Sequence, residues 1–396
     1  MATEGADALV LGAGIAGCAL AYHLARGKFG RVVVLDPATP AAGATGRAAG
    51  IVTEQLWDRW DVATVRESRE EYARLAVRHD PSACRVNGFL RWTSRADVVP
   101  LLAAATERLH DWGVEVEELS AAEVARRLPW ARCDDLLGAS FAPGDAIVAP
   151  TRLAELYLRE ARSLGVEFEL GLSEVRLEGS QGRWQVTAGQ RSWRAPCVVV
   201  AAGAWSKRLL ASAGAPIPLT PYRTQAALLR PGGPAVPEFP SFHDIDLDVY
   251  ARPEEAGRVL VGDGTDAVEA DPTSFVTGGD ERFVTHLAES FASRLPGWKD
   301  AEMLRAWAGV CVATPDRHPL IGPVPGAPGL CALTGFNGFG VMRAGGAAAR
   351  LAQAIGEPER EADLLGPTLP GRFSRPYPAF PPKPGFTLEA GDEPRY

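Results

Sequence analysis

Lysine is almost missing from this chain. Of 41 basic residues in 396, only Lys28, Lys207, Lys299 and Lys383 are lysine; the remainder are arginine, as GC-rich coding would produce. Acidic residues number 49, so the net charge is −8, and the clustered basic face of a nucleic-acid-binding protein is not expected. Uninterrupted apolar runs of the length that crosses a bilayer (about 18 residues) are absent, which excludes a transmembrane helix from the expectation. The N-terminus carries no cationic leader and runs directly into a strand-like segment, so no signal peptide is expected. There is no C-x-x-C: Cys18, Cys84, Cys133, Cys197, Cys311 and Cys331 are scattered, which suggests neither a disulfide framework nor a zinc site. The expectation is a reduced, cytoplasmic protein without a metal. What is present is a globular composition, 46% hydrophobic and 23% charged, in a chain long enough for two interleaved domains.

The first fifty residues carry the most information. An apolar run, Ala8–Leu11, ends at Gly12-x-Gly14-x-x-Gly17 and leads into a helical pattern over Cys18–Arg26. A second apolar strand, Arg31–Leu35, ends in Asp36. Strand, glycine turn, helix, strand and acid in this order form a dinucleotide-binding fingerprint. Gly12 permits the tight turn, Gly14 lets the backbone approach a pyrophosphate, and Gly17 lets the helix pack on the sheet. The helix N-terminus, with Ala13, Ile15 and Ala16, then faces the phosphates, and Asp36 with Pro37 faces the ribose. The motif alone does not separate NAD from FAD. The glycine-rich stretch Gly43–Ile51, with Ala44, Thr45, Arg47, Ala48, Ala49 and Gly50, suits a longer cofactor and is read as leading into a helix over Asp61–Val77.

Further along, Val198–Ser206 is a buried strand that breaks at Ala202-Gly203 and starts a helix near Trp205. Thr151–Leu164 reads as a helix, and Val166–Leu170 and Ser173–Leu177, which contains Val175, as strands. From about residue 216 to 300 prolines cluster, and Gln225–Leu229, Asp246–Tyr250 and Arg258–Val261 alternate like antiparallel strands; Gly88–Thr93 could join them. Leu330–Leu333 is a short strand, and Thr334-Gly-Phe-Asn337-Gly338-Phe339-Gly340 opens a helix at Val341. Its dipole suits the negative charge of a reduced flavin. His243 reads as a solvent-facing residue of an acidic turn, and His318 as a loop residue. The proline-rich segment 366–396 reads as an extended surface tail.

This order of motifs resembles the FAD-dependent amine and amino-acid oxidase family over roughly residues 6 to 360. The likeness rests on the fingerprint with Asp36, G-A-T-G-R-A-A-G-I, V-V-V-A-A-G-A-W-S, Tyr250-x-Arg252-Pro, T-P-D-R-H-P-L-I-G and G-F-N-G-F-G. The resemblance implies an α/β fold. A Rossmann-type FAD-binding domain would be built from 1–90, 150–215 and 300–365, and an antiparallel-sheet substrate domain from 91–149 and 216–299. It implies oxidation of a C–N bond in an amine, imine or modified amino acid by hydride transfer to flavin N5. The residues already named, from Gly12 to Val341, would hold FAD, and Tyr250 and Arg252 would border the substrate. Family members that tether the flavin use a cysteine or a histidine at positions matching Gly309 and Arg47, so FAD is expected to be non-covalent. Three familiar anchors for a substrate carboxylate are replaced here, at Cys311, at Met342 and near Thr53, which leaves Arg252 or Arg343 to supply a cation if one is needed. The partner is a small amine-type molecule. The alternative is an FAD-holding subunit that passes electrons to an accepting protein; a monooxygenase using NAD(P)H is disfavoured because no second glycine motif is present.

Overall fold

The computed structural model describes residues 3–180, 182–232, 238–263 and 268–374. Its first sheet has six strands in the order Glu167–Glu169, Val32–Leu35, Ala8–Leu11, Cys197–Val200, Leu330–Thr334 and Leu320–Pro323. All neighbours are parallel except the last pair. Alternate side chains explain why the strands are apolar throughout. Ala8, Val10, Val32 and Val34 face one core, under the helices Ile15–Arg26, Arg59–His79, Pro150–Ser163 and Gly340–Gly356. Leu9, Leu11, Val33 and Leu35 face another, shared with Trp184, Val186 and Trp193 of a small sheet on the opposite side. A parallel sheet covered on both faces needs such continuous hydrophobicity, and each buried aliphatic side chain contributes about 1.5–3 kcal/mol.

The second large sheet has nine strands, including Phe89–Thr93, Ser241–Asp244, Val249–Glu254, Arg258–Asp263, Thr220–Arg230 and Glu302–Ala313. Here the two faces differ. Phe242, Ala251, Val261 and Ala227 are aligned across neighbouring strands and pack on Phe283, Leu287 and Phe291 of the helix Glu281–Arg294. The adjacent row, His243, Tyr250, Gly262, Ala226 and Trp307, is aligned in the same way and turns to the opposite face.

Three expectations change. The stretch Asp246–Tyr250 is not one strand: Ile245–Asp248 is a hairpin turn, with Asp248 at φ 52°, and the strand begins at Val249. The glycine-rich stretch at Gly43–Ile51 does not enter the long helix. It makes one 3-10 turn, Thr45–Arg47, and the strand Ile51–Val52, which pairs with Ala146–Val148. The long helix starts only at Arg59, where the Asp58 carboxylate accepts from Asp61 N. The segment 366–396 does not begin as a tail. Pro370–Phe373 is a 3-10 turn held by Arg372, which bonds both oxygens of Asp316 at 2.6 and 3.0 Å and the carbonyl of His318 at 2.7 Å. Residues 375–396 lie outside the described residues. Glu302–Ala313 runs along Thr220–Arg230 in the nine-stranded sheet, so the chain returns through that sheet before Leu320–Thr334 rejoins the first one.

Asp145 fastens the loop after Ile51–Val52 by accepting from Thr53 Oγ1 and Glu54 N. Burial pushes its carboxyl up to about 7, although the Thr53 and Glu54 hydrogen bonds oppose this. The folded value exceeds the unfolded one. Its stabilising contribution is therefore complete below about pH 4 and lost as pH rises through about 7. Stability is expected to fall by about 2–4 kcal/mol across that window, and Asp145→Asn is expected to flatten the fall. Denaturant titrations of both proteins along a pH series check this; parallel curves would contradict it.

Candidate active site

A cavity of about 860 Å³ opens between the carboxyl ends of the first sheet and the second row of the nine-stranded sheet. The fingerprint forms its floor. At φ 117° Gly12 occupies a conformation that favours glycine, and a Cβ there would meet the Ala201 carbonyl oxygen at 2.5 Å. A Cβ at Gly17 would overlap the Gly12 carbonyl oxygen, so these two glycines serve the chain's own packing. Gly14 differs: its side-chain direction meets only Thr45 Oγ1, at 3.3 Å, and Gly14 lines the cavity. Thr45 Oγ1 also accepts from Ile15 N at 3.1 Å, joining the 3-10 turn to the helix start. Asp36 accepts from Ala13 N at 2.6 Å and from Ala38 N at 2.7 Å. Burial pushes its carboxyl above the ordinary range against those two bonds.

The expected cofactor residues gather around this one space. Gly12, Gly14, Ile15, Ala16, Asp36 and Pro37 line it, as do Ala44, Thr45, Arg47, Ala48, Ala49, Gly50 and Ile51. So do Val175, Ala202, Gly203, Trp205, Asn337, Gly338, Phe339, Gly340 and Val341. Ala13 and Gly17 stand behind the lining. Asn337, at φ 54°, is more a clamp than a contact. Its side chain accepts from Thr314 N at 3.0 Å and donates to the carbonyls of Gly335 and Arg317 at 2.6 and 2.9 Å.

The substrate-side expectations divide. Tyr250 lines the cavity, and Gly262 opposite it has no side chain to collide with the phenol. Burial pushes the phenol well above its ordinary value, with the Asp263 carboxylate adding to the effect, so it stays a donor. Arg252 is not among the lining residues. Its guanidinium bonds the carbonyls of Ala49 and Pro253 and the Glu254 carboxylate at 2.8 Å. A buried cation must find acceptors, and these lie on the chain itself. Arg343 is fully buried on the far side of Phe339 and bonds Asp61 at 2.8 Å. Asp58, Asp61 and His318 offer ligand atoms within 4.8 Å of one another there, with His318 Nδ1 at 3.5 Å from Asp58. Burial lowers the His318 value and raises that of Asp61.

His243 is the residue that sequence reasoning misplaced. It is 1% exposed, in the second strand row, and its Nε2 lies 3.0 Å from Asp248 Oδ1. Both line the cavity, together with Asp263, Tyr222, Trp307 and Cys311. The alternation Phe242-His243 against Tyr250-Ala251 is the signal that places it, once the turn is located correctly.

With this geometry in hand, comparison with known proteins is decisive. The family description "DAO: FAD dependent oxidoreductase" matches residues 7–354. The chain belongs to this family. It is 26% identical over 395 residues to mitochondrial dimethylglycine dehydrogenase of Homo sapiens, covering 93% of this chain but 45% of that protein, less than half its length. It is 24% identical over 349 residues to glycine oxidase of Geobacillus kaustophilus, covering 85% and 89%. The solved structure of L-proline dehydrogenase from P. horikoshii superposes with a TM-score of 0.85 at 22% identity, over 94% of this chain and 99% of that one. This is the fold anticipated from the sequence.

FAD is the family's cofactor, and the residues present fit it. Gly14 leaves open the space a side chain would fill, and the helices starting at Ile15 and Gly340 direct their N-termini to one cavity, where a pyrophosphate and a reduced ring would both gain from the dipoles. The two tether positions implied by the resemblance adjoin each other: a Cβ on Gly309 would meet Arg47 Cβ at 3.2 Å. Neither glycine nor arginine can form the flavin bond. Cys311 also lines the space, but burial pushes its thiol up to about 11, so it is protonated and unreactive near neutral pH. Among the described residues no helix is long and apolar enough to cross a membrane.

Proposed function

We propose that this protein oxidises the C–N bond of a small amine-type substrate. In this reading 1–90, 150–215 and 300–365 hold FAD, except that Glu302–Ala313 joins 91–149 and 216–299 in the sheet that roofs the substrate. FAD supplies a two-electron acceptor: a hydride leaves the carbon beside nitrogen, and the neutral amine becomes an iminium that water can hydrolyse. The observation that carries the reading is the row His243, Tyr250, Gly262, Ala226 and Trp307, which faces the fingerprint across one cavity. The family and two relatives named for glycine and dimethylglycine support it, since both compounds carry C–H bonds beside nitrogen.

The protein's own groups do the positioning. Tyr250, kept protonated by burial, donates to a substrate atom beside the reacting carbon. His243, bonded to Asp248 at 3.0 Å, braces the strand beside Tyr250, and the amine reacts in its neutral form, because hydride departure requires the nitrogen lone pair. Trp307 donates to the Arg47 carbonyl at 3.0 Å and fixes the 3-10 turn against the sheet. Cytoplasmic placement belongs to this reading, supported by six cysteines that are all free thiols.

The test is anaerobic mixing of the purified protein with a panel of amines and amino acids while following loss of flavin colour. Bleaching by at least one compound is expected, and bleaching only with a protein donor or with NADPH would contradict the proposal. Tyr250→Phe is expected to lower the rate of reduction by about ten- to a hundred-fold while FAD content stays unchanged. Unchanged kinetics would remove Tyr250 from the substrate site.

A further inference from the structure

We infer that the loop 270–276 is a cofactor-retaining cover: Pro272, Thr273 and Phe275 close FAD into the cavity at the end lined by Val175 and Ala202, and movement of this loop tip governs how fast FAD leaves. The inference rests on FAD as the cofactor and is independent of the C–N reading above. The loop follows the strand Val268–Glu269 of the nine-stranded sheet, yet these three residues line the same cavity as the fingerprint on the first sheet. Pro272 and Phe275 are half-buried, whereas Asp271, Ser274, Val276 and Thr277 are exposed. A loop that is otherwise polar and solvent-facing thus gives a proline and an aromatic ring to the cofactor space.

The ends of the loop are held firmly. At the near end Ala270 N donates to the Pro221 carbonyl at 3.0 Å. At the far end Arg223 donates to the carbonyls of Val276 and Gly278 at 3.0 and 2.5 Å and to the Asp280 carboxylate at 2.7 Å. Ala308 N donates to the Thr277 carbonyl at 2.8 Å. Both anchors therefore sit on Thr220–Arg230 and the strand paired with it, Glu302–Ala313. Between them the Asp271 carboxylate accepts from Thr273 N and Oγ1 at 2.8 and 2.7 Å, closing the turn on itself. Adjacent ends and a self-bonded tip are the build of a compact surface loop that moves as a unit.

The tip is held lightly. It meets the helix Ser206–Ser212, which follows the strand end at Ala202. Ala270 and Phe275 pack against the core cluster that contains Ala204 and Leu210. Glu269 pairs with Lys207 at 3.5 Å. Thr273, with a smaller contribution from the Arg208 guanidinium, holds the Asp271 carboxyl below its ordinary value. These charged groups are exposed, and exposed pairs contribute little, so the Phe275 ring carries most of the grip. The Thr45–Arg47 turn, elsewhere on the cavity wall, is fixed by hydrogen bonds from Ile15 N and Trp307 Nε1. A tip with few buried contacts on a firmly anchored base opens locally ahead of the elements around it, and such loops gate exchange with solvent.

The experiment uses the FAD-loaded full chain. It is diluted into flavin-free buffer, and free FAD is separated by ultrafiltration at timed intervals. Phe275→Ala is expected to release FAD about ten-fold faster than the wild type, the factor that loss of a partly buried ring contact gives. Phe275→Leu, which keeps an apolar side chain, is expected to stay within about three-fold of the wild type. Val276→Ala, at an exposed position of the same loop, is expected to release at the wild-type rate. The melting temperature of the FAD-free protein is expected to be the same in all three variants, which separates a cover from a general loss of stability. A wild-type release rate in Phe275→Ala, or equal acceleration by Val276→Ala, would overturn the cover and leave the cofactor assignment standing. A chain that takes up no FAD would overturn that assignment, and this inference with it.

Discussion

Gly14→Val is expected to give a folded, colourless protein. Every other constraint in the turn is internal: Gly12 avoids the Ala201 carbonyl and Gly17 avoids the Gly12 carbonyl. Gly14 makes no such demand, since its only near neighbour in the side-chain direction is Thr45 Oγ1 at 3.3 Å. Branched carbons there would occupy the floor of the cavity, where backbone N–H groups must approach a pyrophosphate. FAD content is expected to fall below about a tenth of the wild-type value, because steric exclusion at the phosphates removes the strongest part of the grip. Flavin absorbance per mole of protein measures it, and far-ultraviolet circular dichroism establishes that the fold is retained. The contrasting variant is Gly17→Val, expected to be lost at the folding stage. If Gly14→Val purifies with full FAD, the cavity floor has been misread.

Asp61→Ala is expected to cost about 3–5 kcal/mol of stability, the usual result of leaving a buried charge without its partner. Arg343 is 0% exposed and Asp61 1%, and the 2.8 Å bond between them ties the helix Gly340–Gly356 to the start of Arg59–His79. Burial pushes the Asp61 carboxyl well upward and the neighbouring Asp58 adds to this, while Arg343 pulls it back; removing Asp61 strands the Arg343 guanidinium in a dry site. The double variant Asp61→Ala with Arg343→Met is expected to recover at least half of the loss, because it removes the stranded guanidinium and leaves a flexible apolar side chain. Chemical denaturation of the single and double variants separates the cases. Equal losses in both would show that packing, not charge, dominates this contact.

The architecture was readable where a rule is strictly local. Strands buried on both faces show as runs such as Ala8–Leu11 and Val198–Val200, and the glycine spacing of the fingerprint reports a backbone that must come close to something. These gave the fold class and most of the residues that line the fingerprint side of the cavity. Direction was harder. Arg252 occupies a cavity-bordering strand, yet its acceptors come from Ala49 and Glu254, and a contact with a loop two hundred residues away leaves no trace in local sequence. His243 was hidden by its acidic neighbours: without knowing that Ile245–Asp248 turns, the alternation across Phe242–Asp244 cannot be phased. Arg372 was lost for the opposite reason. Its flanking prolines suggest an extended chain, while the tertiary ion pair with Asp316 overrides that local preference.

Central to the account is a single space gripping FAD from three widely separated turns with no covalent bond. The most direct measurement is acid precipitation of the purified protein, with flavin assayed in both the pellet and the supernatant. A yellow protein that releases all of its flavin as FAD is the predicted result. Flavin retained in the pellet, or a colourless protein that FAD cannot reconstitute, would contradict it.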